Sequence, residues 1–379
     1  MISYGRQWID ADDEAAVLGA LRSDFLTQGP ATAQFEKDIA DYVGAKHCLA
    51  LSSATAALHI LYQAFDLGEA EGITTPNTFV ATSNAMLYVG MKPVFADIDP
   101  DTFNLSPASV EAKITERTKL LAPVHFAGLP ADMKRLSAIG REHGLKIVED
   151  ASHAIGGEYA EGGKVGNNQY ADATVFSFHP VKTMTTGEGG AITTNDTELY
   201  ERLLLLRSHG LVRDPAKIHG EQGPWIYEQQ DLGFNYRITE LQAALGSSQL
   251  KKLDRFVDRR REIIAAYREG LSGLNWLTLP EHYEDQRVSY HLYVLRIDFE
   301  GIGKTRAEVM AELKAKGVGT QVHYIPVHTQ PYYRDHCGTA KGDQPHAEHY
   351  YDRCLSIPLF PAMTQADIDT VIAAVRTLG

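Results

Sequence analysis

Thr174-Val-Phe-Ser-Phe-His-Pro-Val-Lys182, continued by Thr183-Met-Thr-Thr-Gly-Glu188-Gly-Gly-Ala-Ile-Thr-Thr194, sets the reading of this chain. The apolar run from Thr174 to Phe178 has the length and composition of a buried strand, and Pro180 stops it. A second β-rich run, Ala191 to Thr194, begins after Gly189-Gly190. Lys182 is thereby expected on a short connection between two buried elements, not on a solvated helix face. Lost hydration disfavours the ammonium form of a lysine held this way and frees its lone pair, which makes it a Schiff-base nucleophile. On these residues alone, a surface lysine in a hairpin loop is an equally good reading.

Upstream, Leu145-Lys-Ile-Val-Glu149-Asp150 reads as a short strand ending in two carboxylates, followed by Ala-Ser-His153. Ligands in open α/β sheets sit beyond the carboxyl ends of strands. Chemistry on a pyridoxal ring needs a lysine and also an acid that keeps the ring nitrogen protonated. Asp150 is placed for that task, but taken singly an Asp that caps the next turn is the stronger reading. Further upstream, the strand His47–Leu51 runs into Ser52-Ser-Ala-Thr55-Ala56-Ala-Leu58, the start of a helical stretch reaching about Phe65. Small residues at a helix N-terminus let backbone N–H groups approach a phosphate, and the helix dipole favours the anion. An ordinary serine N-cap has the same sequence. Ser177, just before Lys182, offers another hydroxyl to the same phosphate.

Composition bounds the class. The chain has 379 residues, 44% hydrophobic and 22% charged, which suits a globular protein with room for two domains. A net charge of −13 opposes non-specific binding to nucleic acid or to an acidic membrane, so neither is expected as a partner. Cys48, Cys337 and Cys354 are scattered and lack metal-ligand spacing, as reduced cysteines of a cytoplasmic enzyme would be, and no metal site is expected. The N-terminus has no apolar signal region and no apolar run approaches membrane-spanning length, so a cytoplasmic location is expected.

Strand-like runs at 47–51, 92–96, 119–125 and 146–149 alternate with helical stretches at 83–89, 107–114 and 131–143. This alternation predicts a largely parallel sheet with helices on both faces. Apolar Leu241, Ala244, Leu245, Leu250, Leu253 and Phe256 recur at helical spacing and predict one long helix over 239–271. Beyond it a strand at 290–297, a helix at 305–316, a strand at 320–323 and a helix from Thr364 fit a smaller α+β unit. The expected domains are an N-terminal segment (1–30), a large cofactor-binding domain (31–240), a connecting helix (241–270) and a small C-terminal domain (271–379).

Taken together, six motifs in order resemble the DegT/DnrJ/EryC1/StrS nucleotide-sugar aminotransferases. They are Ser52-Ser-Ala-Thr-Ala-Ala-Leu58, Pro76-Asn-Thr-Phe79-Val-Ala-Thr82, Glu149-Asp-Ala-Ser-His153, Phe176-Ser-Phe-His-Pro-Val-Lys182, Gly187-Glu-Gly-Gly190 and Gly233-Phe-Asn235-Tyr-Arg237-Ile-Thr239. The likeness covers essentially the whole chain. It implies an α/β fold of the fold-type I pyridoxal phosphate (PLP) transferases: a mainly parallel seven-stranded sheet in the large domain plus a smaller α+β domain. Gln321-Val-His323-Tyr324-Ile-Pro-Val-His328-Thr-Gln-Pro-Tyr-Tyr333 and the Lys182 motif most resemble C4 aminotransferases of pseudaminic acid biosynthesis. Those enzymes take a UDP-linked 4-keto-6-deoxy-N-acetylhexosamine and L-glutamate.

Residue by residue, the resemblance implies that Lys182 carries pyridoxal 5'-phosphate as a Schiff base and moves protons, with pyridoxamine 5'-phosphate as the intermediate form. Asp150 would pair with the pyridine nitrogen, Phe79 would stack on the ring, and His153 would sit beside it. Thr55, Ala56 and Ser177 would bind the phosphate, joined by Asn235 from the partner subunit of a homodimer with composite sites. Tyr4, Gln7, Arg207, His209, Arg237, His323, Tyr324, His328 and Tyr333 are the expected substrate contacts. Arg207, Arg213 and Arg237 are all eligible for the glutamate carboxylate. Three rivals differ in their demands. A related dehydratase carries histidine where Lys182 stands, a desulfurase needs a reactive cysteine in a recognisable motif, and a non-catalytic sugar-nucleotide-binding regulator needs neither Lys182 nor Asp150. Within the aminotransferase reading, other C3 or C4 keto sugars on dTDP or GDP are the alternative substrates.

Overall fold

The computed structural model describes residues 1–220, 223–285 and 287–379. Seven short strands form the central sheet: β1 (His47–Leu51), β2 (Glu71–Thr74), β3 (Lys92–Phe95), β4 (Thr118–Ala122), β5 (Lys146–Asp150), β6 (Ala173–Ser177) and β7 (Gly190–Thr194). Their spatial order is β1-β7-β6-β5-β4-β2-β3. Every pairing is parallel except those of β7, which runs antiparallel to both β1 and β6. All residues of β6 and β7 are buried, as a sheet covered on both faces requires. Alternation divides the strands between two apolar layers. Ile147 and Phe176 join Phe35 and Leu136 on one face, while Val148 and Val175 join Leu58, Leu61 and Leu203 on the other. The expected mainly parallel α/β architecture is therefore present. With six strands running one way, the loops after β1, β2, β4, β5 and β6 open along one edge of the sheet.

A short hairpin pairs β8 (Leu211–Val212) with β9 (Glu228–Gln229). A second, antiparallel sheet follows, in order β10 (Leu277–Thr278), β11 (Tyr293–Ile297) and β12 (Cys354–Ile357). Its apolar layer packs against helices Leu253–Leu271 and Gln365–Arg376 through Ile264, Tyr267, Val371 and Val375. Among the described residues, no helix is long and apolar enough to cross a membrane.

Three local expectations change. The single helix over 239–271 is two helices, Glu240–Leu250 and Leu253–Leu271, parted at Lys251-Lys252. No proline or glycine marks the break, so the apolar period reads straight through it. Its cause is tertiary: Lys252 Nζ turns inward to pair with Asp10 (2.6 Å) and Asp13 (2.7 Å). Buried Asp13 also accepts from Ser248 Oγ and Gln249 Nε2, which fixes the N-terminal helix Ala11–Leu21 against Glu240–Leu250. The strand expected at 320–323 shrinks to one bridge, Gln321 against Ser356. The chain then leaves the sheet edge, and the peptide bond between His323 and Tyr324 is cis. Five strands carried no strong signal in the sequence: the two-residue β8, β9 and β10, the four-residue β2, and β12, which follows a helix without a glycine or proline between them.

Candidate active site

Beyond the carboxyl ends of β1, β2, β5 and β6 lies a cavity of about 540 Å³. Lys182 reaches it from the connection between β6 and β7. That connection is closed at its base by Phe178 N–H donating to Gly189 O (2.9 Å) and by Thr185 Oγ1 donating to Phe178 O (2.9 Å). Pro180 ends the strand and Lys182 N–H donates back to His179 O (2.9 Å), a tight turn that aims the side chain into the cavity. Loss of hydration lowers the Lys182 ammonium to about 8, and the Asp150 carboxylate limits the fall.

Asp150 ends β5 and is buried. Its Oδ2 accepts from Thr82 Oγ1 (2.7 Å) and its Oδ1 from Ser152 N–H (3.1 Å). Glu149 points to the opposite face, as strand alternation dictates, and accepts from His125 Nε2 (2.6 Å) and Tyr159 OH (2.8 and 2.9 Å). Of the two strand-end carboxylates, only Asp150 meets the cavity.

His153 stands in the turn that begins at Ala151, and its ring lies against the cavity. Its Nδ1 accepts from Ala127 N–H (3.3 Å), so the ring hydrogen belongs on Nε2, 3.0 Å from the Tyr324 hydroxyl oxygen. Burial, then the charge of Lys182, pushes His153 well below the ordinary histidine range, which keeps it a neutral donor. Tyr324 thus accepts from His153 and keeps its own hydrogen for a group in the cavity. His323 falls to about 3 for the same two reasons. Tyr4, His323, Tyr324 and Phe79 form the wall beyond Lys182, and Phe79 is 60% exposed although it is a large apolar ring.

At the other end stands the N-terminus of the helix Ala54–Phe65. Ser53 caps it by accepting from Ala56 N–H (3.0 Å). The first N–H groups of a helix have no partner within it, and their bearers here, Ala54 and Thr55, line the cavity with Ser53 and Ser177. This cradle suits a phosphate. An exposed aromatic face at Phe79, a buried carboxylate at Asp150 and a desolvated amine at Lys182 complete the complement of pyridoxal phosphate. The residues therefore fit the cofactor that the sequence resemblance implies.

Tyr4, Thr55, Phe79, Asp150, His153, Ser177, Lys182, His323 and Tyr324 all line this cavity. Several other expected contacts do not. Ala56 is buried with its N–H taken by Ser53, so Ala54 stands beside Thr55 in its place. Arg207 is a structural ion pair: its Nη1 donates to Glu36 Oε1 (2.6 Å) and Ala50 O (3.0 Å), which corrects its expected substrate role. His328 is fully buried against Phe95 with Nε2 on Glu348 Oε1 (2.9 Å), and Tyr333 is buried with its hydroxyl on Ser83 Oγ (2.6 Å) and Asn84 Oδ1 (2.5 Å). Both serve packing and lie outside the cavity. His209 and Asn235 are exposed at the surface; Asn235 bridges to Ser208, and Arg237 pairs through its backbone with Leu51. Gln7 lies behind Lys182, beside Thr183 and Gln249. Sequence reasoning missed Thr82, Thr78 and His291. Thr82 stands one helical turn after Phe79, a spacing that puts both on one side. His291 lies just before β11 with no local signal.

The model of the DegT/DnrJ/EryC1/StrS aminotransferase family matches residues 7–376. The chain is 42% identical over 381 residues to the spore coat polysaccharide biosynthesis protein SpsC of Bacillus subtilis, covering 100% of this chain and 97% of that protein. Among solved structures it resembles Helicobacter pylori PseC, an aminotransferase involved in the biosynthesis of pseudaminic acid. The TM-score is 0.92 at 34% identity, with 100% of this chain and 98% of that one covered. It also resembles the putative sugar aminotransferase Spr1654 of Streptococcus pneumoniae in its pyridoxamine phosphate form, with a TM-score of 0.91 at 29% identity, covering 100% and 99%. The pyridoxal phosphate form of Spr1654 matches with a TM-score of 0.90. This chain belongs to the DegT/DnrJ/EryC1/StrS aminotransferase family and is a pyridoxal phosphate-dependent sugar aminotransferase.

Proposed function

We propose that this enzyme moves an amino group from L-glutamate to C4 of a UDP-linked 4-keto-6-deoxy-N-acetylhexosamine, as a homodimer with composite sites. The observation that carries the reading is the placement of Lys182 and Asp150 in one cavity walled by Tyr4, His323 and Tyr324. The likeness to a pseudaminic acid aminotransferase supports the choice of sugar. Pyridoxal phosphate, when bound, supplies an electron sink for the carbanion formed where the amino group departs or arrives.

The chain's own residues do the rest. Asp150, held by Thr82 and Ser152, offers Oδ1 and Oδ2 to a protonated ring nitrogen. Ser53, Ala54, Thr55 and Ser177 would hold the phosphate, and Asn235 of one subunit would complete that cradle in the other. Lys182, with its ammonium lowered to about 8, yields a free amine at a lower pH than an ordinary lysine does. Its Nζ removes the proton from Cα of the donor and, in the reverse half-reaction, returns one to C4 of the sugar. Tyr324, its oxygen satisfied by His153, directs its hydroxyl hydrogen at an oxygen of the substrate. Phe79 would stack on one face of the bound ring.

The test converts the enzyme to its pyridoxamine phosphate form with glutamate, removes the donor, and adds candidate keto-sugar nucleotides. A UDP-4-keto-6-deoxy-N-acetylhexosamine should restore the original absorbance and yield a 4-amino sugar. Restoration by a dTDP-3-keto sugar alone would overturn the choice of sugar. Failure of glutamate to change the spectrum would overturn the choice of donor.

A further inference from the structure

L-Glutamate carries two carboxylates, yet among the described residues of one chain no arginine lines the cavity, and Lys182 is its one lysine. A cation stands one layer behind the wall instead. Arg260 is 0% exposed, and its Nη1 donates to Leu359 O (2.8 Å) and His291 O (3.2 Å), with Nη2 3.5 Å from Lys182 O. Its Nε has no partner, and among the described residues no carboxylate lies within ion-pair distance. Burial alone accounts for the fall of its guanidinium to about 9, with no opposing acid. A buried cation without a counter-charge is costly, and three carbonyl dipoles offset only part of that cost.

His291, whose backbone carbonyl accepts from Arg260, lines the cavity. It is 3% exposed, and its Nδ1 is buried without a hydrogen-bond partner. Its ring centroid is 4.5 Å from that of His153. Burial comes first among the causes that hold His291 well below the ordinary histidine range, followed by its neighbours Lys182, His153, Arg260 and His323. A neutral imidazole in that setting presents an N–H with a positive field behind it.

We propose that His291, backed by the buried guanidinium of Arg260, anchors a carboxylate of the amino donor. This rests on the donor being an amino dicarboxylate, as proposed above. The two-layer arrangement answers a conflict in the reaction, because one cavity must hold an anion in the first half and a sugar ring in the second. An arginine in direct contact would be left without its anion when the sugar arrives. An imidazole N–H bonds a carboxylate or a sugar hydroxyl equally well, while the charge that favours the anion never changes partners. His291 would touch the donor, and Arg260 acts through it as a positioning residue.

Calorimetric titration of the holoenzyme with 2-oxoglutarate, and separately with UDP, tests this without requiring turnover. His291→Phe should weaken 2-oxoglutarate about tenfold or more, the loss expected for one hydrogen bond to a charged group, and leave UDP within about twofold. His291→Asn, which keeps an N–H donor, should recover most of the loss. Arg260→Met should weaken 2-oxoglutarate while Arg260→Lys retains it, and the KM for glutamate should rise further than kcat falls. Unchanged 2-oxoglutarate binding in His291→Phe would overturn the proposal. So would an equal loss of UDP, or a loss that appears in Arg213→Ala or Arg237→Ala and not in His291→Phe. Where Arg260→Met does not fold, the two His291 variants decide. The sugar plays no part in these titrations, so a wrong sugar leaves their result standing.

Discussion

Lys182 and Asp150 share one cavity because two different strands end at the same sheet edge, and each depends on its immediate neighbours. For Lys182 what matters is burial, which lowers its ammonium from the ordinary 10.5 to about 8. Below that value the amine is protonated and cannot attack an aldehyde; above it the amine is free. Capture of pyridoxal phosphate by the apoenzyme should therefore rise with pH and level off above about 8, where an ordinary lysine would keep gaining to beyond about 10. Stopped-flow absorbance measures the rate, and a profile still climbing at about pH 10 would contradict the lowered value. For Asp150 the neighbour is Thr82, whose hydroxyl fixes the carboxylate at 2.7 Å. Thr82→Val keeps the volume and removes that bond, worth about 1.5–3 kcal/mol to a charged group. We expect kcat to fall about tenfold or more with Tm little changed. Unaltered turnover would mean that Ser152 N–H alone holds the carboxylate.

Elements bring these residues together through close backbone approaches. Gly190 opens β7 directly beneath the phosphate turn, where an added Cβ would stand 2.5 Å from Ala54 N and 2.5 Å from the Ser53 carbonyl carbon. Both are backbone atoms, so Gly190→Ala must displace the helix N-terminus. Overpacking of this kind costs about 1–3 kcal/mol. Since the displaced N–H groups belong to the phosphate cradle, cofactor affinity should drop about tenfold or more while the sheet persists. Equilibrium dialysis of the variant checks this, and full retention of the cofactor would mean that the cradle does not bind phosphate through Ala54 and Thr55. The Gly-Gly pair was visible in the sequence, as were β1, β5, β6 and β7, because period and proline signals are local. What the sequence hid is contact between distant segments. The helix Pro30–Val43 has no side-chain cap of its own; Glu240 supplies one, accepting from Ala31 N–H (2.7 Å) and Thr32 N–H (3.2 Å). In the same way Glu36 claims Arg207 and Glu348 claims His328. Residue type made these two look like substrate contacts, and only the fold reveals that their charge and ring nitrogen are already committed.

At the scale of the whole molecule, one chain lines the phosphate end with Ser53, Ala54, Thr55 and Ser177. Asn235 is exposed, on a segment where Trp225 is 68% and Leu232 75% exposed. Large exposed apolar side chains on one segment fit a surface that meets another protein, and members of this family are typically dimeric. If Asn235 completes the partner's phosphate cradle across a two-fold axis, each site takes Lys182 from one subunit and Asn235 from the other. Lys182→Ala and Asn235→Ala should each lower activity, the first to background. Mixing the two variants after reversible dissociation then gives a specific outcome. In a mixed dimer one site carries both lesions and the other carries neither. Random pairing makes about half of the dimers mixed, each with one intact site of two, so activity should return to about a quarter of the wild-type level. Activity no greater than the average of the two parent variants would place Asn235 in its own subunit's site or outside both, and would leave each cavity to bind its phosphate through Ser53, Ala54, Thr55 and Ser177 alone.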